Sequence, residues 1–325
     1  HADFRAAVRA SLAHLVPEVS APADVRALQA LISPGAEFLL ADLLAADPRR
    51  LGRTVTIRAP LADRADLYFK GAVSRDDPAD RRLLSDDQLR WLDTLAATGV
   101  VTRGFNTAFF TNGDSSYPEL AGIAAGVAGS LISVGLAILI ATPLGVATAV
   151  FLEEFAPKNA LTDFLEININ NLAAVPSIIF GLLGLVAFII FFGMPRSAPV
   201  VAGFVLALMT LPTIVIATRS ALRALPASLK EGATALGASR LDAIFDPILP
   251  AAAPGIVTGV IVGFGRALGE TAPLILIGMV AFVATPPESA LDPASALPVL
   301  IYVWAESPEA AFAEKTAGAA IVLLA

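Results

Sequence analysis

Past residue 118 the chain is dominated by apolar runs long enough to cross a bilayer, and no other feature constrains the fold as strongly. Four are complete, at about Leu120 to Leu152, Leu172 to Met194, Pro199 to Thr218 and Pro254 to Ala284, and a fifth begins near Thr316. A spanning α-helix needs about 20 apolar residues. Lipid offers no partner for backbone N–H and C=O groups, so a spanning segment must be a helix or part of a closed barrel. These runs have helix length, and 119–325 is therefore expected to be an all-α integral membrane bundle. Composition agrees, with 56% hydrophobic residues and a mean hydropathy of +0.73. The first run exceeds the length required and is expected to tilt or to contain an interfacial turn at Pro143.

Residues 1–118 differ in kind. They hold 14 of the 22 Lys and Arg and 15 of the 29 acids, which predicts a polar, soluble, mostly helical α(+β) module. Apolar residues recur at helical spacing from Ala21 to Ala46, interrupted at Ser33-Pro34-Gly35. Arg53 to Ile57 (RTVTI) and Asp66 to Phe69 (DLYF) read as two short strands. Ser85 with Gln88 forms a capping-box pattern that opens a helix through Leu95, stopping near Gly99.

Loop charge orients the bundle. The loop 219–250 carries Arg219, Arg223, Lys230 and Arg240, whereas 285–312 carries Glu288, Asp292, Glu306 and Glu309 and no Lys or Arg. The positive-inside rule puts the first in the cytoplasm and the second outside. Alternation then places 1–118 outside as an extracytoplasmic module. Two details run against the rule: Arg196 falls on the outer side, and the inner loop 153–163 has only Lys158 against three acids. The chain starts at His1 without Met or leader and stops at Ala325 inside a short apolar run. It reads as a fragment, with a span before His1 and most of a last span expected outside it.

Several chemistries are excluded. No cysteine is present, so thiolate, disulfide and cluster chemistry is ruled out. His1 and His14 lie far from any carboxylate set with metal spacing and are expected on the surface. The net charge of −7 comes with no basic patch, and no nucleic-acid partner is expected. Gly263 to Gly269 has the spacing GxGxxxG, one residue too long for a dinucleotide fingerprint, and lies within a span. None of Lys70, Lys158, Lys230 and Lys315 follows the P-loop pattern, so ATP and every other cofactor are expected to be absent from this chain. The glycine stripes Gly122, Gly126, Ser130 and Gly255, Gly259, Gly263 are the small-residue surfaces along which helices approach closely in lipid.

Between the third and fourth runs lies Glu231-Gly232-Ala233-Thr234-Ala235-Leu236-Gly237, followed at a distance by Leu249-Pro250. This resembles the EAA motif of ABC importer permeases. Glu231, Ala233, Gly237, Leu249 and Pro250 match in position; Gly232 replaces an Ala and Pro247 an Ile. The resemblance implies a short coupling helix that docks on a separate ATPase, with Gly237 permitting the turn after it. Three further segments narrow it: Pro118 to Ser130, Asn171 to Gly181 (NLAAVPSIIFG) and Gly265 to Pro273 (GRALGETAP). Together they resemble phosphate permeases of the PstA type, from about Phe105 onward. That implies an ABC importer type I bundle, an inner-membrane location and no enzymatic activity of its own. It also implies four kinds of partner: a second permease, an ATPase dimer, an extracytoplasmic phosphate-binding protein, and phosphate itself.

Within that reading Arg266, Glu270 and Thr271 are the expected pathway residues. An arginine at membrane depth needs a counter-charge, and Glu270 stands four positions on, where a continuous helix would place both on one face. Guanidinium suits an oxyanion. Glu270 can neutralise Arg266 between cycles or accept a phosphate proton that sulfate lacks. The bland alternative is a structural ion pair. Asn168, Asn170, Asn171 and Ser177 fit caps and interhelical hydrogen bonds at the start of the second run, with a kink or break at Pro176. Two other functions compete: a permease for another oxyanion such as molybdate or sulfate, or for another substrate, and a membrane-anchored sensor using 1–118. The sensor leaves the EAA-like loop and Arg266 unexplained.

Overall fold

The computed structural model describes residues 3–78, 82–280 and 282–325. It divides into two compact units, His1–Gly122 with Ser307–Lys315, and Ile123–Glu306 with Thr316–Ala325.

The first unit is helical. Helices α1 (Phe4–Leu15), α2 (Pro22–Gln29), α3 (Gly35–Ala46), α4 (Asp63–Phe69), α5 (Asp86–Ala97) and α6 (Ala108–Thr111) follow one another. Leu12, Val16, Leu28, Leu31, Leu89, Leu92 and Leu95 form the core. The Ser33-Pro34-Gly35 interruption separates α2 from α3 as expected. Ser85 caps α5 with a reciprocal capping box to Gln88, and Gly99 adopts a left-handed φ of 72° just beyond its end. His14 is exposed in the last turn of α1; His1 lies outside the described residues.

Neither expected strand forms. Asp66 to Phe69 lies in α4, where Asp63 and Asp66 occupy the first turn and Asp66 pairs with Lys70 one turn on. Arg53 to Ile57 is irregular. Its alternation survives in exposure, with Val55 and Ile57 half-buried and Thr54 and Thr56 exposed. A strand needs a neighbour to take its hydrogen bonds. Among the described residues the only β pairing is an isolated bridge between Ile32 and Leu61.

The second unit holds the apolar helices. Among the described residues three are long and apolar enough to cross a membrane, and a bent pair makes a fourth if counted as one span. Helix α7 (Ala124–Val150) runs unbroken through Pro143 and ends in a π-helical turn, Phe151–Phe155. Of the two expectations for this run, a tilt or an interfacial turn at Pro143, the turn does not form.

The second run is not one straight helix. Helix α8 (Ala160–Ala173) starts at Asn159, whose side chain accepts from the Thr162 N–H at 2.9 Å. Helix α9 (Ser177–Gly184) widens into a π-helical stretch, Leu185–Phe191, and meets α8 at 101°. The break falls at Pro176, where proline disfavours the α conformation in the residue before it and Pro176 itself takes ψ 136°. The asparagines do not cap α9: Asn168 donates to the Phe164 carbonyl within α8, and α9 starts without a side-chain cap. The cap is Asn159, upstream, on a segment expected to be loop.

Helix α10 (Pro199–Arg223) is the central strut of this unit, packed against α7 and α13 (Leu249–Gly269). A Cβ at Gly255 would lie 2.6 Å from the Ala221 Cβ, and one at Gly259 2.4 Å from the Ala217 Cβ. Only glycine facing alanine permits that approach, which is the small-residue packing expected of the stripe. In the other stripe the Ser130 hydroxyl accepts from the Leu297 N–H at 2.8 Å. Leu297 opens α15 (Leu297–Ala305), a helix with buried Val299, Leu300 and Trp304 inside what reads as an outer loop. Between α10 and α13 come α11 (Ala227–Ala235), α12 (Arg240–Ala243) and a π-helical turn, Ile244–Ile248. After α13 come α14 (Ala272–Leu276) and, later, α16 (Ala311–Leu324).

Outward-facing apolar side chains are numerous, among them Leu139, Ile190, Phe191, Val257 and Ile261. So much exposed apolar surface is untenable in water and suits lipid or another membrane helix.

Candidate functional site

Two groups of residues stand out, one at the end of α13 and one between α10 and α13. Helix α13 ends at Gly269 rather than continuing to residue 284. Glu270 takes an extended backbone, φ −76° and ψ 125°, and the chain restarts as α14 with Pro273 in its first turn. Proline has no N–H to donate to the turn before it, so a helix passing through 269–273 would lose a hydrogen bond and clash. Arg266 and Glu270 are thus not stacked on one continuous helix as the spacing suggests. Glu270 is the residue at which the helix opens. The pair nevertheless meets, with Arg266 Nε 3.7 Å from Glu270 Oε1, a contact longer than a hydrogen bond.

Exposure of the pair is uneven: 38% for the Arg266 side chain and 18% for Glu270. The Arg266 side of α13 is open, since a Cβ at Gly265 or Gly269 would meet nothing within 4 Å. Ala267, Gly263 and Gly259 form the buried side. Thr271 precedes α14 and caps nothing with its side chain. Arg266, Glu270 and Thr271 therefore gather around one helix break, with the guanidinium on the open side and the carboxylate tucked behind it.

The second sequence motif meets the same place. A Cβ on Gly181 of α9 would lie 2.6 Å from Pro273 Cα and 2.9 Å from the Pro273 carbonyl oxygen. The VPSIIFG and GRALGETAP segments, 90 residues apart, are thus in direct backbone contact.

The loop 219–250 forms a helical hairpin. Glu231 and Ala233 lie on α11. Gly237 has a φ of +91° with open space around it, so the backbone conformation and not crowding requires glycine there. Leu236, beside it, is 92% exposed, an unusual position for a leucine unless another surface covers it. Leu249 and Pro250 open α13, where proline's missing N–H does no harm. The five residues of the expected coupling motif are thus split between a protruding short helix with its turn and the base of a long apolar helix.

Sequence reasoning missed the acids behind this hairpin. Glu153 and Glu154, in the π-helical turn after α7, pair with Arg219, Arg223 and Lys230. In the sequence alone they count only as acids that run against the charge rule.

Apolar helices built on small-residue contacts, with a helical hairpin between two of them, define a membrane-embedded helix bundle. The chain belongs to the family of binding-protein-dependent transport system inner membrane components, whose model matches residues 141–306, just over half of it. It is accordingly a multi-pass protein of the inner membrane and a transport component rather than an enzyme. A domain of unknown function, DUF3333, matches residues 1–79. The probable ABC transporter permease protein YqgI of Bacillus subtilis is 36% identical over 168 residues, 51% of this chain and 56% of that protein. The phosphate transport system permease protein PstA 1 of Mycobacterium tuberculosis is 35% identical over 197 residues, 60% of this chain and 64% of its own length. The chain therefore spans less than two thirds of either relative. The likeness to PstA-type permeases is shown by such relatives. Among solved structures, inward-facing MetNI methionine ABC transporter gives a TM-score of 0.48 at 17% identity, over 61% of this chain and 86% of that one.

Proposed function

We propose that this chain is the permease subunit of an ATP-driven phosphate importer. It forms the anion pathway with a second permease, receives phosphate from an extracytoplasmic binding protein and is driven by a pair of ATPase subunits on the cytoplasmic side. The observation that carries this reading is Arg266 beside Glu270 at the break ending α13. A guanidinium on the open side of a helix, held loosely by one carboxylate, can exchange that carboxylate for a phosphate oxyanion without leaving a bare charge. Thr271 adds a hydroxyl at the same break.

The hairpin supplies the coupling. Glu231, Ala233 and Gly237, with Leu236 projecting, form the surface that docks on the ATPase; Leu249 and Pro250 carry its displacement into α13. ATP is held by that partner, and this chain holds no cofactor. Nucleotide binding and hydrolysis switch the permease pair between outward and inward access. Residues 1–118 lie on the extracytoplasmic face.

The test is phosphate uptake by the full-length protein in its complete complex, comparing wild type with Arg266→Gln while following ATPase assembly. Lost uptake with intact assembly supports the pathway role. Unchanged uptake reduces Arg266 and Glu270 to a structural pair. Wild-type uptake of molybdate or sulfate in place of phosphate would overturn the substrate.

A further inference from the structure

Every cation of the loop 219–250 is engaged by the turn that follows α7 or by α8. Arg219 Nε lies 3.3 Å from Glu153 Oε2, and Arg219 Nη2 lies 2.6 Å from Glu166 Oε1 on α8. Arg223 Nε lies 2.8 Å from Glu153 Oε1. Lys230 of α11 pairs with the Glu154 carboxylate. Arg240 of α12 donates to the Glu154 carbonyl and sits over the Phe155 ring, 5.1 Å from its centroid. The central members are poorly hydrated: side-chain exposure is 9% for Arg219 and 11% for Glu154.

We propose that Glu153 and Glu154 act as a mechanical link that makes the coupling hairpin and the inner ends of α7, α8 and α10 move as one body. This rests on the importer reading above. Adjacent positions on a helical turn point in different directions. Glu153 therefore reaches α10, while Glu154 reaches the hairpin. Separating a poorly hydrated ion pair leaves an uncompensated charge, which is strongly unfavourable. The pairs therefore persist while the hairpin is displaced, and α7 follows it. Displacement reaches α13 through the chain itself and reaches α7, α8 and α10 through these charges. Lys230 is the member to test, because it is partly exposed and lies on the hairpin, so its loss removes the hairpin's ion pair to Glu154 and leaves only the Arg240 contact with the Glu154 carbonyl and the Phe155 ring.

These 325 residues hold no cysteine, so site-directed labels need only the replacement of any cysteine elsewhere in the complex. In the full-length protein within its complete complex, spin labels at Thr234→Cys on α11 and Phe151→Cys after α7 report the distance across the link. That distance is expected to stay fixed between nucleotide-free and ATP-bound states. It should broaden in Lys230→Met and recover in Lys230→Arg. Phosphate imported per ATP hydrolysed is expected to fall at least tenfold in Lys230→Met, with the ATPase still bound, and to return in Lys230→Arg. A wild-type distance that changes with nucleotide overturns the proposal, as does a Lys230→Met complex within twofold of wild type. Loss of the ATPase from Lys230→Met alone would also overturn it, making Lys230 a docking residue. The distance does not depend on the anion carried, so a wild-type complex that imports no phosphate counts against the importer reading and leaves the link to be judged by the labels.

Discussion

Gly181 and Pro273 touch backbone to backbone, with space at Gly181 for a hydrogen and nothing larger. A Cβ there would stand 2.6 Å from Pro273 Cα. The contact seats α9 on α14 and so fixes where the break after Gly269 lies. Gly181→Val must push Pro273 away, and overpacking of this kind costs about 1–3 kcal/mol. The expected outcome is a protein that inserts and binds its ATPase but imports phosphate at least tenfold more slowly. Gly135→Ala on α7, which adds a methyl facing open space away from this break, serves as the control and should import normally. Equal rates in the two variants would show that the contact does not position the pathway.

Gly237 makes a different demand. Its φ of +91° is open to glycine and strained for residues with a Cβ, and no neighbouring atom crowds it. Gly237→Ala is expected to cost about 1 kcal/mol by strain alone, whereas Gly237→Val, β-branched, should cost more. The turn carries Leu236, so the predicted consequence is partial release of the ATPase on co-purification, graded Val over Ala. Full retention in Gly237→Val would mean that the turn is not part of the docking surface.

The features legible in the sequence were those whose cause is local. The Ser85–Gln88 capping box, the break at Pro176 and the turn at Gly237 each follow from a few neighbouring residues, and the glycine stripe is a local pattern although the alanines it faces lie on another helix. The strand readings failed for the complementary reason: RTVTI alternates as a strand should, yet a strand exists only through a partner elsewhere. The end of α13 at Gly269 had its signal in Pro273, but the apolar run continues past it and hydropathy alone carries the helix onward. Likewise α15 is short and sits among acids, so it reads as loop although its apolar face is buried. The pairing of Glu153 and Glu154 with cations 66 to 76 positions away is long-range and had no local trace. It also accounts for two of the three acids of 153–163: Glu153 and Glu154 neutralise cations of 219–250.

Glu270 carries a prediction about selectivity. A carboxylate tucked behind Arg266 can accept the proton that phosphate bears and repels the proton-free sulfate. A site built to hydrogen-bond a substrate hydroxyl discriminates strongly against an analogue without it. Glu270→Gln is therefore expected to lower the ratio of phosphate to sulfate uptake at least fivefold, chiefly by admitting sulfate. Competition between labelled phosphate and unlabelled sulfate in proteoliposomes measures it. An unchanged ratio would assign selectivity to the binding protein.

In the first unit, Tyr68 donates to Asp93 Oδ1 at 2.9 Å. Burial, reinforced by the Asp93 carboxylate, holds the phenol above its ordinary value of 10.0. The folded state thus binds the phenolic proton more tightly than the unfolded chain does. The resulting stability is fully present below pH 10 and is lost as pH rises through the higher folded value, where tyrosinate would face Asp93. Tyr68→Phe removes a hydrogen bond contributing about 1 kcal/mol. At neutral pH the variant should melt below wild type, and the gap should close above pH 10, because wild type loses what the variant never had. Thermal unfolding of the two proteins between pH 7 and 11 decides the matter. A gap that stays constant across that range would show that the phenol's proton is not held by the fold.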